Sequence, residues 1–148
     1  EDDKVHFIKD RCRKLGIKGT MFSQLERGET LTINKKRIKL KDVTNVEIGR
    51  KVVYATDSRP TSATIRAASD ADILIHEATY ADELKGFAKE RKHSTAMEAA
   101  EIAKSAKARR LLLFHPSARY KDTGVLVKEA RKVFKNTDMA YDGMKIHI

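Results

Sequence analysis

Between residues 51 and 148 the sequence alternates short apolar segments with segments of helical periodicity, and this alternation constrains the fold more than any other feature. Two of the apolar segments are continuous runs, which are typical of strands covered on both faces. Strands that alternate with helices predict mostly parallel pairing in an α/β layered sandwich. The predicted strands are 51–57, 72–76 and 110–114, and the predicted helices are 60–68, 94–106 and 125–134.

Each of the three predicted strands stops at side chains that can carry chemistry: Asp57, the pair His76 and Glu77, and His115. The carboxyl ends of neighbouring parallel strands meet at one edge of a sheet, where such folds bind their ligands. Asp57 and His115 offer an oxygen and an imidazole nitrogen, a set that suits zinc or manganese. Position alone leaves an alternative open, in which Asp57 caps a helix and His115 is an ordinary surface or core histidine.

His93 comes just before the helix predicted at 94–106, in which Thr95 and Glu98 have the spacing of a capping box. A histidine at a helix start can face a phosphate, because the helix dipole favours bound anions there. Glu77 is a candidate partner that would fix the tautomer of His93. The alternative is that His93 is a turn residue ahead of the cap.

The first 50 residues are charged, punctuated by glycine and only weakly periodic, so we expect two regions, 1–50 and 51–148. Short elements are predicted as a strand at 5–8, helical turns at 9–15 closed by Gly16, a loop or short helix at 19–28, and a hairpin of 31–33 with 37–40. Closing strands are predicted at 139–141 and 144–148.

The composition favours a polyanionic partner. Among 148 residues, 31 are Lys or Arg and 21 are Asp or Glu, which gives a net charge of +10. An excess of this size favours nucleic acid, although a basic protein with a solvated surface is the alternative. No apolar run approaches the length of a membrane span, and the single cysteine, Cys12, predicts a cytoplasmic protein without disulfides.

Four motifs, in one order, carry a family resemblance. Residues 54–60 (Tyr-Ala-Thr-Asp-Ser-Arg-Pro) are similar to the strand of ribonuclease Z that ends in its metal-bridging aspartate. Residues 74–80 resemble its His-Glu-Ala-Thr loop, and residues 93–95 resemble its His-Ser-Thr loop. Residues 111–120 resemble the segment with its last ligand histidine. The chain differs mildly, with Ser58 and Phe114 where the family usually has threonine.

The resemblance implies a fold, a metal centre and a substrate. The fold would be the C-terminal half of a metallo-β-lactamase αββα sandwich, in a homodimeric enzyme that removes 3′ trailers from precursor tRNA. The complete site would hold two zinc ions, with manganese as the alternative metal. Asp57 would bridge the ions and His115 would bind one. His93, oriented by Glu77, would stabilise the transition state or protonate the leaving 3′ oxygen.

The resemblance also implies residues that contact the substrate. Arg119, with Ser117 beside it, would meet a substrate phosphate, although an ordinary structural ion pair is the alternative for Arg119. Residues 15–29 resemble the distal part of the arm that holds tRNA, but Gly19-Thr20 stands where the family has a Gly-Pro pair. Region 1–50 would therefore be a basic arm remnant with a connecting hairpin, and its candidate tRNA-binding residues are Lys9, Arg11, Arg13, Lys14 and Lys18.

The family's His-x-His-x-Asp-His segment and its middle ligand histidine have no counterpart in these 148 residues. We therefore expect this chain to need a partner, the N-terminal half-domain, and to be inactive by itself. Two other functions stay open. One is a metallo-β-lactamase-fold phosphodiesterase or other hydrolase with a different substrate, and the other is a non-catalytic RNA-binding or partner-binding half-domain.

Overall fold

The structure, a computed structural model, describes all residues from 1 to 148 and divides the chain into two compact units, Glu1–Gly49 and Arg50–Ile148. The strands are β1 (Lys4–Phe7), β2 (Leu31–Ile33), β3 (Lys36–Ile38), β4 (Thr44–Glu47), β5 (Val52–Ala55), β6 (Ile73–Glu77), β7 (Arg110–Phe114) and β8 (Thr137–Met139). The helices are α1 (Lys9–Leu15), α2 (Met21–Glu26), α3 (Ser62–Ala67), α4 (Lys85–Glu90), α5 (Ala96–Ser105) and α6 (Gly124–Val133), with 3₁₀ turns at Leu40–Asp42 and Asp82–Leu84.

The first unit contains two small antiparallel sheets and two short helices. β1 pairs with β4, and β2 pairs with β3 through a two-residue turn. Asn34 and Lys35 form that turn with φ angles of 49° and 63°, the left-handed conformation that tight hairpins need. The predicted hairpin is confirmed, and its second strand begins one residue earlier than expected. A small core holds this unit together: Cys12, Ile17, Leu25, Ile38 and Val43.

Helix α1 occupies the span predicted for it and ends at Gly16, whose φ of 74° stops the helix in the left-handed conformation. Its only buried residue is Cys12. The basic residues expected to bind tRNA are all exposed: Lys9, Arg11, Arg13 and Lys14 lie on α1, and Lys18 follows it. Two of them have partners within the unit, since Arg11 donates to the Asp42 carbonyl and Arg13 lies 3.8 Å from Asp10.

The second unit is built on one four-stranded sheet in the order β5-β6-β7-β8, and every neighbouring pair is parallel. The parallel sheet predicted from the alternation of strands and helices is therefore confirmed. One face of the sheet carries the main core, where alanines of α5 let the helix approach Leu74, Leu111 and Leu113 closely. The carboxyl ends of β5, β6 and β7 consequently lie side by side.

The opposite face of the sheet is apolar and partly open. Tyr54 on β5 is 59% exposed, and its ring packs against Phe114 on β7 with 4.9 Å between centroids. A shallow groove of about 420 Å³ runs along this face and is also lined by Ile75, Leu112 and Ile146. A sandwich places a second layer on such a face, since apolar sheet surfaces require burial.

Several boundaries differ from the predictions. Pro60 lies ahead of α3 and not inside it, because the Thr61 hydroxyl accepts from the Thr64 backbone N–H and starts the helix at Ser62. Residues 144–148 form no strand, and the last strand of the sheet is β8 instead of 139–141. No helix of the structure has both the length and the apolar composition needed to span a membrane.

His76, in the middle of this unit, is fully buried and offers a test of the fold. Its Nδ1 lies 2.8 Å from the Glu77 carbonyl and donates to it, which leaves Nε2 buried without a partner. Burial lowers the pKa of His76 below its ordinary value of 6.5, although the Glu77 carbonyl and carboxylate oppose the shift. The protonated form would place an N–H where no acceptor lies.

We therefore expect the free energy of unfolding to fall as the pH drops below about 6.5, by up to about 1.4 kcal/mol per pH unit. The sign follows because a depressed histidine pKa makes the unfolded chain bind the proton first. Urea titrations at pH 7.5 and 5.5 measure the loss, and His76→Leu should reduce it while the exposed His147→Leu should not. Equal pH dependence in wild type and His76→Leu would contradict this account.

Candidate metal and catalytic site

Three side chains converge at the carboxyl edge of the sheet. Asp57 follows β5, His93 precedes α5, and His115 directly follows β7. Each offers one ligand atom, and these atoms all lie within 4.8 Å of one another. His115 has a φ of 57°, a left-handed conformation that few non-glycine residues adopt and that histidine adopts more often than most of them.

Glu77 is the buried anchor of the site. Its side chain is fully buried, and its carboxylate lies 3.0 Å from His93 Nδ1. The same carboxylate accepts hydrogen bonds from the Ser58 backbone N–H and from both the N–H and the hydroxyl of Thr79. A buried charge requires this degree of pairing, so the contacts keep the carboxylate in place against His93.

Thr79 joins the two histidines. Its hydroxyl donates to Glu77 at 2.8 Å, so its oxygen can only accept from the rings. His93 Nδ1 lies 3.3 Å and His115 Nδ1 lies 3.2 Å from this oxygen. Both rings are thereby held with Nδ1 turned toward the protein and Nε2 turned away from these contacts.

Arg59, which follows β5 and Asp57, binds the loop that carries His93 and the helix α5 after it. Its guanidinium donates to the His93 carbonyl at 2.6 Å and to both carboxylate oxygens of Glu98. Burial by itself would raise the pKa of Glu98, but the hydrogen bonds from Arg59 and Thr95 outweigh it and hold that pKa below its ordinary value. The charged pair therefore persists at neutral pH and fixes the loop that carries His93.

The donor set fits a catalytic metal ion. His93 and His115 engage their Nδ1 atoms with protein groups, so their Nε2 atoms are available as ligands, and Asp57 adds a carboxylate that is 60% exposed. Three protein ligands with an open position are typical of catalytic zinc sites. A second ion would need ligands from outside this group.

The other predicted site residues lie in two places. Ser117 accepts a hydrogen bond from Arg119 Nε at 3.2 Å, and the Arg119 guanidinium lies over the rings of Tyr80 and Phe87. Arg119 forms no ion pair with a carboxylate, so the alternative of a structural salt bridge is not seen. The basic residues of α1 and Lys18 belong to the first unit.

Reasoning from the sequence missed Thr79 and Arg59 as parts of this site. A signal for Thr79 was present, since it lies two residues after Glu77 in the motif that identified the loop. Arg59 had no such signal, because its partner Glu98 was already explained as the third position of a helix cap. One carboxylate serves both the cap and the ion pair.

Comparison with known proteins identifies the family. The family model described as "Beta-lactamase superfamily domain" matches residues 14–116. Ribonuclease Z of Gemmatimonas aurantiaca is 46% identical over 152 aligned positions, which cover 100% of this chain and 48% of the relative. Ribonuclease Z of Archaeoglobus fulgidus is 44% identical over 151 positions, covering 99% and 49%. The chain spans about half the length of the relatives it matches.

Solved structures agree with this likeness. The metallo-β-lactamase-fold protein YhfI of Bacillus subtilis superposes with a TM-score of 0.60 at 29% identity, covering 78% of this chain and 47% of that one. The short form of human tRNase Z superposes with a TM-score of 0.55 at 30% identity, covering 82% and 42%. The expected resemblance and the expected fold class are confirmed. The chain belongs to the beta-lactamase superfamily domain family, and within that family it is similar to ribonuclease Z.

Proposed function

We propose that this chain is the C-terminal part of a zinc-dependent endoribonuclease that removes 3′ trailers from tRNA precursors. The observation that carries the proposal is the convergence of Asp57, His93 and His115 within 4.8 Å, at the carboxyl edge of a parallel sheet whose sequence is similar to ribonuclease Z. The buried Glu77 carboxylate behind His93 adds support, because a carboxylate partner fixes the tautomer of a histidine and raises its basicity.

In this proposal Asp57 and His115 hold the metal, and His93 handles a proton. Bound zinc would lower the pKa of the attacking water and offset negative charge on the phosphate. When His93 is protonated on both nitrogens, its Nδ1–H donates a hydrogen bond to Glu77, and its Nε2–H would pass its proton to the leaving 3′ oxygen, which leaves the neutral imidazole. Arg119 and Ser117 meet a neighbouring phosphate. The basic residues of the first unit contact the tRNA: Lys9, Arg11, Arg13, Lys14 and Lys18.

The remaining ligands come from an N-terminal half-domain, which covers the open face that carries Tyr54. The complete enzyme holds two zinc ions, with manganese as the alternative, and works as a cytoplasmic homodimer on precursor tRNA. This chain together with that half-domain is the assembled enzyme.

The proposal is tested by comparing the chain alone with the assembled enzyme. With zinc or manganese present, the chain alone should cleave precursor tRNA poorly, because Asp57 and His115 are too few ligands for two ions. Adding the half-domain should restore cleavage, and gel analysis of the trailer measures it. Robust cleavage by the chain alone would contradict the need for a partner.

A small phosphodiester serves as the control substrate in the same assay. Its hydrolysis without cleavage of precursor tRNA would favour a hydrolase of different specificity. If the assembled enzyme cleaves neither substrate but binds RNA, the chain is a non-catalytic RNA-binding half-domain and the proposed activity is wrong.

A further inference from the structure

Aromatic rings and arginine side chains form a series of contacts that starts at His93. The Tyr80 ring lies 6.1 Å from the His93 ring and meets Phe87 edge-on at 5.4 Å. The Arg119 guanidinium lies 5.1 Å from the Tyr80 centroid and 5.4 Å from the Phe87 centroid. Beyond it, the Arg91 guanidinium lies 5.1 Å from the same Phe87 ring. Each guanidinium is within the range of a cation–π contact.

The two arginines are held in place without being neutralised. Both are exposed, and neither forms an ion pair with a carboxylate, although Glu90 directly precedes Arg91 in the chain. Both guanidinium groups therefore keep a charge that an anion can reach from solvent.

Lys92 adds a third cation where the backbone favours glycine. Helix α4 ends with the Lys92 N–H bonded to the Lys89 carbonyl and the His93 N–H bonded to the Ala88 carbonyl. This pattern places Lys92 at the position after the cap, with a φ of 62°. Glycine adopts that conformation without strain, so lysine is less stable than glycine would be at this position. The lysine does keep an exposed charge between Arg91 and His93 in the sequence.

We propose that Arg91 and Lys92, with Arg119, form a strip that binds successive phosphates of a single RNA strand next to the scissile one. The inference rests on the proposed function for the choice of RNA. An RNA strand supplies both chemistries that the strip offers, since phosphates pair with the cations and bases can stack on the exposed guanidinium groups of Arg91 and Arg119.

The test measures binding of a fluorescent six-nucleotide RNA to the full chain in the presence of a chelator, so that no cleavage or metal is involved. Arg91→Ala and Lys92→Gly should each weaken binding by roughly three- to tenfold. Each should also lower the slope of log affinity against log salt by about 0.7, as expected for one lost single-strand phosphate contact. Lys104→Ala is the matched control, because it removes an exposed cation at the far end of α5 and should leave the affinity unchanged.

Melting temperature supplies a second readout. Lys92→Gly should raise the melting temperature while it weakens RNA binding, a combination that loss of structure cannot produce. Unchanged affinity in both variants, or an equal loss in Lys104→Ala, would overturn the strip. Failure of the assembled enzyme to cleave precursor tRNA would count against the proposed function alone, because RNA binding is measured without catalysis.

Discussion

His93→Ala in the assembled enzyme is expected to slow single-turnover cleavage of precursor tRNA by about 10²–10⁴-fold while metal content and tRNA affinity stay near wild type. The reason is geometric. Glu77 and Thr79 hold His93 Nδ1, so the free Nε2 is fixed in the direction of the site. Rapid-quench kinetics give the rate of the chemical step, and metal analysis of the same preparation gives the zinc content.

Substitution of Glu77, the partner of His93, gives a second test of the same assignment. Glu77 accepts from Ser58 and Thr79 as well as from His93, so alanine at position 77 would leave buried donors unsatisfied. Glu77→Gln preserves the shape and should slow the chemical step more mildly than His93→Ala. The double variant should be little worse than His93→Ala alone, because residues that act as one unit are not additive.

Two outcomes would contradict the assignment of His93 to proton transfer. A ring nitrogen of His93 lies within 4.8 Å of a carboxylate oxygen of Asp57 and of a ring nitrogen of His115, so a loss of zinc in His93→Ala would make His93 a ligand instead. A lowered melting temperature with a wild-type chemical step would make it a turn residue ahead of the helix cap at Thr95.

Asp57→Ala and His115→Asn are expected to remove metal and activity together. Substituting residues that merely support a ligand costs about 10–100-fold in metal affinity, and loss of a ligand should cost at least as much. Asparagine is the better replacement at His115 because it tolerates the left-handed backbone there. Zinc affinity measured by competition with a chromophoric chelator is compared with the cleavage rate at saturating RNA.

The control for this pair is His147→Ala, which removes an exposed histidine far from the cluster in sequence and should keep both properties. Full zinc affinity together with full turnover in either variant would exclude that residue as a ligand. A melting curve of each variant identifies misfolding, so a loss of zinc caused by unfolding is not mistaken for the loss of a ligand.

The sheet and α5 were predictable because their signals are local and strong. β6 and β7 are continuous apolar runs, and the capping box at Thr95 fixes the start of α5. α4 and β4 were not predicted. α4 has only six residues and too little periodicity to recognise, and β4 exposes three of its four residues. Short elements of this kind depend on tertiary contacts more than on their own sequence.

The candidate site was predictable in its members but not in its connections. Residues at the ends of parallel strands must share an edge, which is why Asp57 and His115 could be paired in advance. The distance from His93 to either of them depends on the loop path before α5, which Arg59 fixes from another segment. No pattern in the sequence encodes a contact between positions so far apart.

The all-parallel sheet also has a consequence for how the chain folds. Paired residues such as Val52 and Ile73, or Ile73 and Arg110, are distant in the chain, and no two neighbouring strands of the sheet are joined by a hairpin. Closing these long connections slows folding, because the chain loses conformational entropy before the strand pairing stabilises it. The three site residues belong to three different connections, so the cluster is complete only when β5, β6 and β7 have paired. We therefore expect a metal ion to bind late in folding, after these three strands have come together.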